Sequence, residues 1–179
     1  MKLKKSCFTL VEILMVTGMI CLIAALIAVA YNGVYRSWAT RNTIATMKSA
    51  HLALDKYMLE NGSYPQATSR TKLGSLASGN KQLEHDLLQN CAPYAGKDGS
   101  TVKVFDDFGD KDNIVEIEYV FPAANSTSFA LLSRGKDGAF GTDDDIIYLP
   151  AGNNTLKPGF YMGITTTDGS VSDIEPLAQ

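Results

Sequence analysis

The chain has 179 residues, a formal net charge of −3 and 45% hydrophobic residues, which is enough for one modest domain once an apolar terminus is set aside. Its 16 basic and 19 acidic side chains are scattered, so nothing suggests the charge footprint of a nucleic-acid binder. Of the three cysteines, Cys7 and Cys21 fall near the N-terminus, which leaves Cys91 without a disulfide partner in the soluble part.

The chain opens with a lysine-rich stretch (Lys2, Lys4, Lys5) that leads into Cys7-Phe8-Thr9-Leu10-Val11-Glu12. From Ile13 to Tyr31 only Thr17 and Gly18 are not apolar, and no charge follows until Arg36. About 19 residues rising about 1.5 Å each match a bilayer core of roughly 30 Å, so this segment predicts a membrane-spanning helix. Glu12 stands at its start. An ionised group costs roughly 2.5–3.5 kcal/mol at mid-membrane and less near the interface, so this carboxylate calls for a partner.

The string Phe8-Thr9-Leu10-Val11-Glu12, after a basic leader and before an apolar helix, resembles the class III signal of type IV pilins and type II secretion pseudopilins. The resemblance implies a prepilin peptidase that cuts between Cys7 and Phe8 and methylates the new amine. It also implies that Glu12 pairs with the N-terminal ammonium of a neighbouring subunit and so sets its register. Cys7 stands where that family usually has glycine. Two other readings stay open: an uncleaved signal anchor, and a secretory signal peptide cut after Ala30, given the A-x-A pattern of Ala28-Val29-Ala30. The second has to accommodate Glu12 and an apolar run at or beyond the usual limit of about 7–15 residues.

Past the membrane the helical period continues through Ile44, Met47, Ala50 or His51, Leu54, Tyr57 and Met58, with Lys48, Ser49, Lys56 and Glu60 opposite. Lys56 and Glu60 have the spacing of an ion pair along one helix face. Gly33 is a position for a bend, and Asn61-Gly62 followed by Pro65 predicts the helix end. The run Ala53-Leu54-Asp55-Lys56-Tyr57, then Glu60-Asn61-Gly62-Ser63-Tyr64-Pro65, is similar to the end of the long helix in major pseudopilins. Residues Gln66 to Gly79, rich in Ser, Thr, Gly and Lys, predict an exposed loop. Gly74 to Lys81 only superficially echoes a phosphate loop, because Asn80 occupies the lysine position. Asn80 instead predicts the N-cap of a helix over Lys81–Asn90 that presents Leu83, Leu87, Leu88 and Cys91 to the core before Pro93.

Alternation over Ile114–Phe121 predicts a strand with Val115, Ile117, Tyr119 and Phe121 inward and Glu116 and Glu118 on a solvated face. Ser128–Ser133, Asp145–Leu149 and Phe160–Ile164 predict further strands. The cluster Asp106-Asp107-Phe108-Gly109-Asp110-Lys111-Asp112 reads as a turn, and the tail after Leu149 has no assigned role. Between two of the strands, residues 133–145 carry four carboxylates and three glycines. A loop that gathers those acids needs a cation, and oxygen donors with glycines and no nearby His or Cys suit calcium rather than zinc. The acid spacing and closing glutamate of an EF-hand are missing. The loop does resemble the calcium loop of major pseudopilins. That likeness implies Asp137, Asp144 and Asp145 as side-chain ligands, Asp143 as a spare acid, and carbonyls of Leu132, Ser133 or Gly135 completing the shell.

The expected organisation is a leader at 1–7, a membrane and assembly half-helix at 8–31, an amphipathic half-helix at 32–62 and a globular head at 63–179. This is an α+β fold of type IV pilin kind, in which a long helix packs on a small antiparallel sheet. The resemblance implies a non-enzymatic subunit of a type II secretion pseudopilus, held once across the bacterial inner membrane with its head in the periplasm. Its implied partners are copies of itself, other pseudopilins, the prepilin peptidase and an inner-membrane platform with a cytoplasmic ATPase. Alternatives are a type IV pilin for adhesion, motility or DNA uptake, and a secreted or anchored calcium-dependent binding module. An enzyme fits least: His51 lies near a helix face and His85 on an exposed side, and neither has a nucleophile beside it in sequence.

Overall fold

The computed structural model describes residues 9–109, 115–121, 128–152, 156–165 and 171–177; Cys7, Phe8, Ile114 and the 122–127 connection lie outside them. The chain divides into two units, Met1–Trp38 and Ala39–Gln179. One helix, α1 (Leu10–Asn61), passes through both and is continuous at Gly33. It ends as its sequence requires: Gly62 takes a positive φ of 77° and donates its N–H to the Met58 carbonyl at 2.7 Å, a conformation that glycine adopts without a Cβ penalty.

In the first unit, Leu10–Tyr31 is long and apolar enough to cross a membrane, and its side chains are exposed. Thr17 returns its hydroxyl to the Ile13 and Leu14 carbonyls at 2.9 and 3.0 Å, so the segment presents little unsatisfied polarity to an apolar medium.

In the second unit, Ala39, Met47, Ala50, Ala53 and Leu54 of α1 are buried. The elements that follow are β1 (Ala67–Lys72), a 3₁₀ turn (Leu73–Ala77), α2 (Lys81–Asn90), β2 (Ala95–Asp98), β3 (Thr101–Val104), β4 (Glu118–Phe121), β5 (Ala130–Ser133), β6 (Ile146–Leu149), β7 (Gly159–Thr165) and β8 (Val171–Pro176). Among the described residues the main sheet has six antiparallel strands in the order β1-β4-β5-β6-β7-β8, and β2 and β3 form a separate hairpin. One apolar cluster joins Met47, Ala50, Ala53 and Leu54 to Leu83 and Leu87 of α2 and to Tyr119, Leu131, Ile146 and Phe160 of the sheet. A second cluster of Val120, Ala130, Leu132, Ile147, Leu149 and Tyr161 takes the alternate positions of the same strands, with Phe140 and Leu156 packed on it. The sheet is therefore covered on both faces.

Several expectations change. Residues 66–79 are not a loop: β1 forms because Ala67 and Thr71 pair with Phe121 and Tyr119, which supplies the backbone partners that its polar side chains do not announce. The 3₁₀ turn buries Leu73, Gly74 and Ala77, and a Cβ on Gly74 would collide with the Val102 carbonyl. The predicted 114–121 strand is regular only from Glu118 on, while Glu116 makes an isolated bridge to Phe105. The face that carries Glu116 and Glu118 is not open to solvent. Glu118 is buried and bonded by Arg134 at 2.9 Å, and Glu116 is held by Lys72 at 2.8 Å, because neighbouring elements cover that face. Lys56 bonds Asp86 of α2 at 2.8 Å, so its principal partner is in another element and not at Glu60. The strand expected at Phe160–Ile164 forms as β7, and the tail adds one that was not expected, β8.

Asn80 caps α2 as expected, accepting from the Gln82 and Leu83 N–H groups at 3.1 and 3.0 Å. Cys91 is buried, and burial pushes its thiol up to about 12, as suits a small core residue rather than a reactive thiol.

Candidate functional site

Two places carry the residues singled out by the sequence: the start of α1 and the loop between β5 and β6. At the first, Thr9 and Glu12 form a reciprocal cap. The Thr9 N–H and hydroxyl each donate to Glu12 Oε2 at 2.9 Å, and the Glu12 N–H donates to Thr9 Oγ1 at 3.3 Å. This arrangement satisfies donors that helix geometry leaves without partners. Glu12 is thus a helix-start residue in its own chain, and it stands where an exposed apolar span begins.

The loop after β5 is organised by carboxylates that accept backbone N–H groups. Asp144 Oδ2 accepts from the N–H groups of Lys136 at 2.8 Å and Asp137 at 3.3 Å, and Asp144 Oδ1 accepts from the Thr142 hydroxyl at 2.8 Å. Asp137 Oδ1 accepts from the Ala139 N–H at 2.8 Å. Gly135 has a φ of +62°, and a Cβ there would meet the Asp144 carbonyl and carboxylate, so this close approach requires glycine.

Asp145 differs from its neighbours because it is wholly buried. Its Oδ2 accepts from the Gly141 N–H at 2.9 Å, the Thr165 N–H at 3.2 Å and the Thr165 hydroxyl at 2.5 Å. Its Oδ1 is buried with no hydrogen-bond partner. Burial raises its carboxyl above the usual range, while the three donors and a raising contribution from Asp144 act on it more weakly. A carboxylate with one oxygen fully engaged and the other without a partner is a place where a cation would be stabilised.

The predicted ligands are therefore brought together in part. Asp137 and Asp144 meet through a backbone N–H, and Asp145 presents its free oxygen from within. Asp143 is exposed, and among the described residues no three Asp, Glu, His or Cys side chains converge on one point. The donors of residues 133–145 are all oxygens, which fits calcium's preference for carboxylates and carbonyls in irregular geometry. The Ser133 hydroxyl is already committed: it donates to Asp106 Oδ2 at 2.5 Å and accepts the Gly135 N–H at 3.2 Å.

Asp106 is the neighbour that the sequence did not connect to this loop. It is buried, also accepts the Phe108 N–H at 3.1 Å, and has its carboxyl pushed up to about 6 by burial despite those donors. The residues between Asp106 and Ser133 hide the contact from any local pattern. The only advance signal was an aspartate-rich turn.

His51 also finds partners invisible in sequence. Its Nδ1 lies 2.8 Å from the Tyr148 hydroxyl and its Nε2 lies 3.1 Å from Asp55 Oδ2, while Tyr64 donates to Asp55 Oδ1 at 2.8 Å. Burial raises the Tyr148 hydroxyl above its ordinary value, with Asp55 adding to the effect. That shift holds the proton more tightly, the opposite of what a nucleophile in a His–Asp relay needs. The chain of bonds ties α1 to β6.

No family model matches this chain, and no solved structure matches it. It is 30% identical over 143 residues to type II secretion system core protein G of Escherichia coli (strain K12), an alignment that covers 80% of this chain and 90% of that relative. The long apolar helix, the small antiparallel sheet and that extent of identity agree on a type IV pilin fold and on a single-pass inner-membrane protein. The chain belongs to the family of type II secretion system core protein G, the major pseudopilins.

Proposed function

We propose that this chain is the structural subunit of a type II secretion pseudopilus, a periplasmic filament built from copies of it on an inner-membrane platform. The observation that carries the reading is a single carboxylate, Glu12, at the head of an exposed 22-residue apolar span in a chain related to protein G over most of its length. The span stores the subunit in the inner membrane. Prepilin peptidase removes residues 1–7 and methylates the amine of Phe8, and the ammonium of one subunit is then neutralised by Glu12 of another where water is scarce. The role is architectural and not enzymatic.

In this reading calcium binds the loop at 133–145. Asp145 offers its free oxygen, Asp137 and Asp144 exchange backbone hydrogen bonds for the cation, Asp143 stays outside, and carbonyls of Leu132, Ser133 or Gly135 complete the shell. The cation supplies the positive charge that four clustered aspartates lack.

Glu12→Gln tests the assembly role, because the amide oxygen still accepts the Thr9 N–H and only the charge is lost. Membrane insertion and head stability are expected to stay at the level of the unmodified protein. Incorporation into filaments sheared from the native host should fall by roughly tenfold or more, the loss expected for about 1.4 kcal/mol of ion pairing in a dry interface. Normal incorporation of the variant would overturn the role given to Glu12. The intact mass of the membrane-recovered chain reports the other half: a start at N-methylated Phe8 supports the filament reading, and a start at Tyr31 sinks it.

A further inference from the structure

Phe140, at the far side of the acidic loop, is gripped by two arginines from different parts of the sheet. The guanidinium carbon of Arg70, on the edge strand β1, lies 4.0 Å from its ring centroid, and that of Arg134, at the end of β5, lies 5.1 Å away. Glu118 of β4 sits between the two cations, accepting from Arg134 Nη2 at 2.9 Å and facing Arg70 Nε at 3.7 Å. Arg70 and Glu118 are largely buried, with side-chain exposures of 18% and 10%. Two cations against one carboxylate leave an uncompensated positive charge, and the negative face of an aromatic ring is suited to meet it.

Among the described residues the buried side-chain atoms without a hydrogen-bond partner are Arg70 Nη1, Arg134 Nε and Asp145 Oδ1. Two belong to the guanidinium groups that flank Phe140, and the third is the free oxygen of the loop that Phe140 belongs to. The ring also packs on the second apolar cluster of the sheet. The residue is therefore held from one side by apolar surface and from the other by charge.

We propose that Arg70, Arg134 and Glu118 latch Phe140 and so hold residues 134–145 against the sheet without any metal, keeping the loop in place beside the free oxygen of Asp145. The latch itself stands independently of the calcium reading; only its effect on cation affinity rests on it. These are positioning residues. They touch no ligand and act by removing the cost of ordering the loop when one binds.

The test uses hydrogen exchange read by mass spectrometry on the full chain in detergent, first with a chelator present. Amides of 135–142 in the unmodified protein are expected to be protected. Phe140→Leu keeps an apolar side chain but loses the ring face, and should raise exchange in that segment by roughly tenfold with β4, β5 and β6 unchanged. Phe140→Tyr should restore protection, and Arg70→Met should reproduce the Leu effect. Added calcium should then re-protect the loop of Phe140→Leu, with an affinity several-fold weaker than that of the unmodified protein. A loop that exchanges equally fast in all variants, or a Phe140→Leu loop as protected as the original, overturns the latch. If the chelator arm behaves as expected and calcium changes nothing in either protein, the latch stands and the calcium reading falls.

Discussion

Both halves of α1 carry apolar side chains, all round the helix in the first and along one stripe in the second, and those side chains meet opposite fates. Along Leu10–Tyr31 the apolar side chains are exposed, whereas Met47, Ala50 and Leu54, further along the same helix, are buried against α2 and the sheet. Apolar composition alone does not decide burial; what decides it is whether the rest of the chain supplies a matching face. The second half has one, while the first half has to find its own in lipid or in other subunits. One continuous helix thus serves two solvents, and its two halves should respond independently to change.

The largest contrast is expected at cysteine. Burial pushes the Cys91 thiol up to about 12, so at pH 8 its thiolate fraction is on the order of one in ten thousand, and access is closed as well. Cys21, in the first half, is exposed. Treatment of the folded chain with a small apolar maleimide, with sites assigned by peptide mass, should modify Cys21 and leave Cys91 untouched until denaturant is added. Rapid labelling of Cys91 in the folded protein would mean that the core between α1 and α2 opens freely.

Leu54→Ala should cost the head about 2–5 kcal/mol, the range for removing a buried leucine that its surroundings cannot close over. The matching change Ile23→Ala, in the exposed half, should leave the head's thermal midpoint where it was. A common loss from both would show that the halves are coupled. Calcium probes the head alone. At a free concentration about a hundred times its dissociation constant, it should add about 2.7 kcal/mol to the head's stability in thermal or denaturant melts. Asp145→Asn should abolish that increment. A melt indifferent to calcium would remove the cation from the loop.

The sequence was most legible where local rules are strong. Asn61-Gly62 ended α1, Asn80 started α2, and short apolar runs marked the strands from Ala130, Ile146 and Gly159. It failed where distant partners decide. The β1 stretch Ala-Thr-Ser-Arg-Thr-Lys has no apolar period and becomes a strand only by pairing with β4. The two-residue period did put Glu118 on the face opposite Tyr119. It could not foresee that Phe140 and two arginines would cover that face. For the acidic loop, composition identified four acids and three glycines. Only the fold separates them, with Asp144 spent on backbone N–H groups, Asp145 keeping a free buried oxygen, and Asp106 joining through Ser133.

The helix caps should respond least, and the same device begins a helix in each unit. Asn80 caps α2 by accepting two backbone N–H groups at the first turn, and Thr9 caps α1 by accepting one. Replacing such a cap by alanine typically costs about 1 kcal/mol. Asn80→Ala should lower the head's stability by about that amount, because α2 buries Leu83 and Leu87 in the core shared with Met47 and Leu54, and fraying its start loosens that core. Thr9→Ala frays a helix start whose side chains are exposed among the described residues, so denaturation of the head should not register it. Its cost should instead appear in the first-turn amides of α1, as faster hydrogen exchange at Val11 and Glu12. If Thr9→Ala lowered the head's midpoint as much as Asn80→Ala does, the first half of α1 would be part of the same cooperative unit, and the independence of the two halves would be lost.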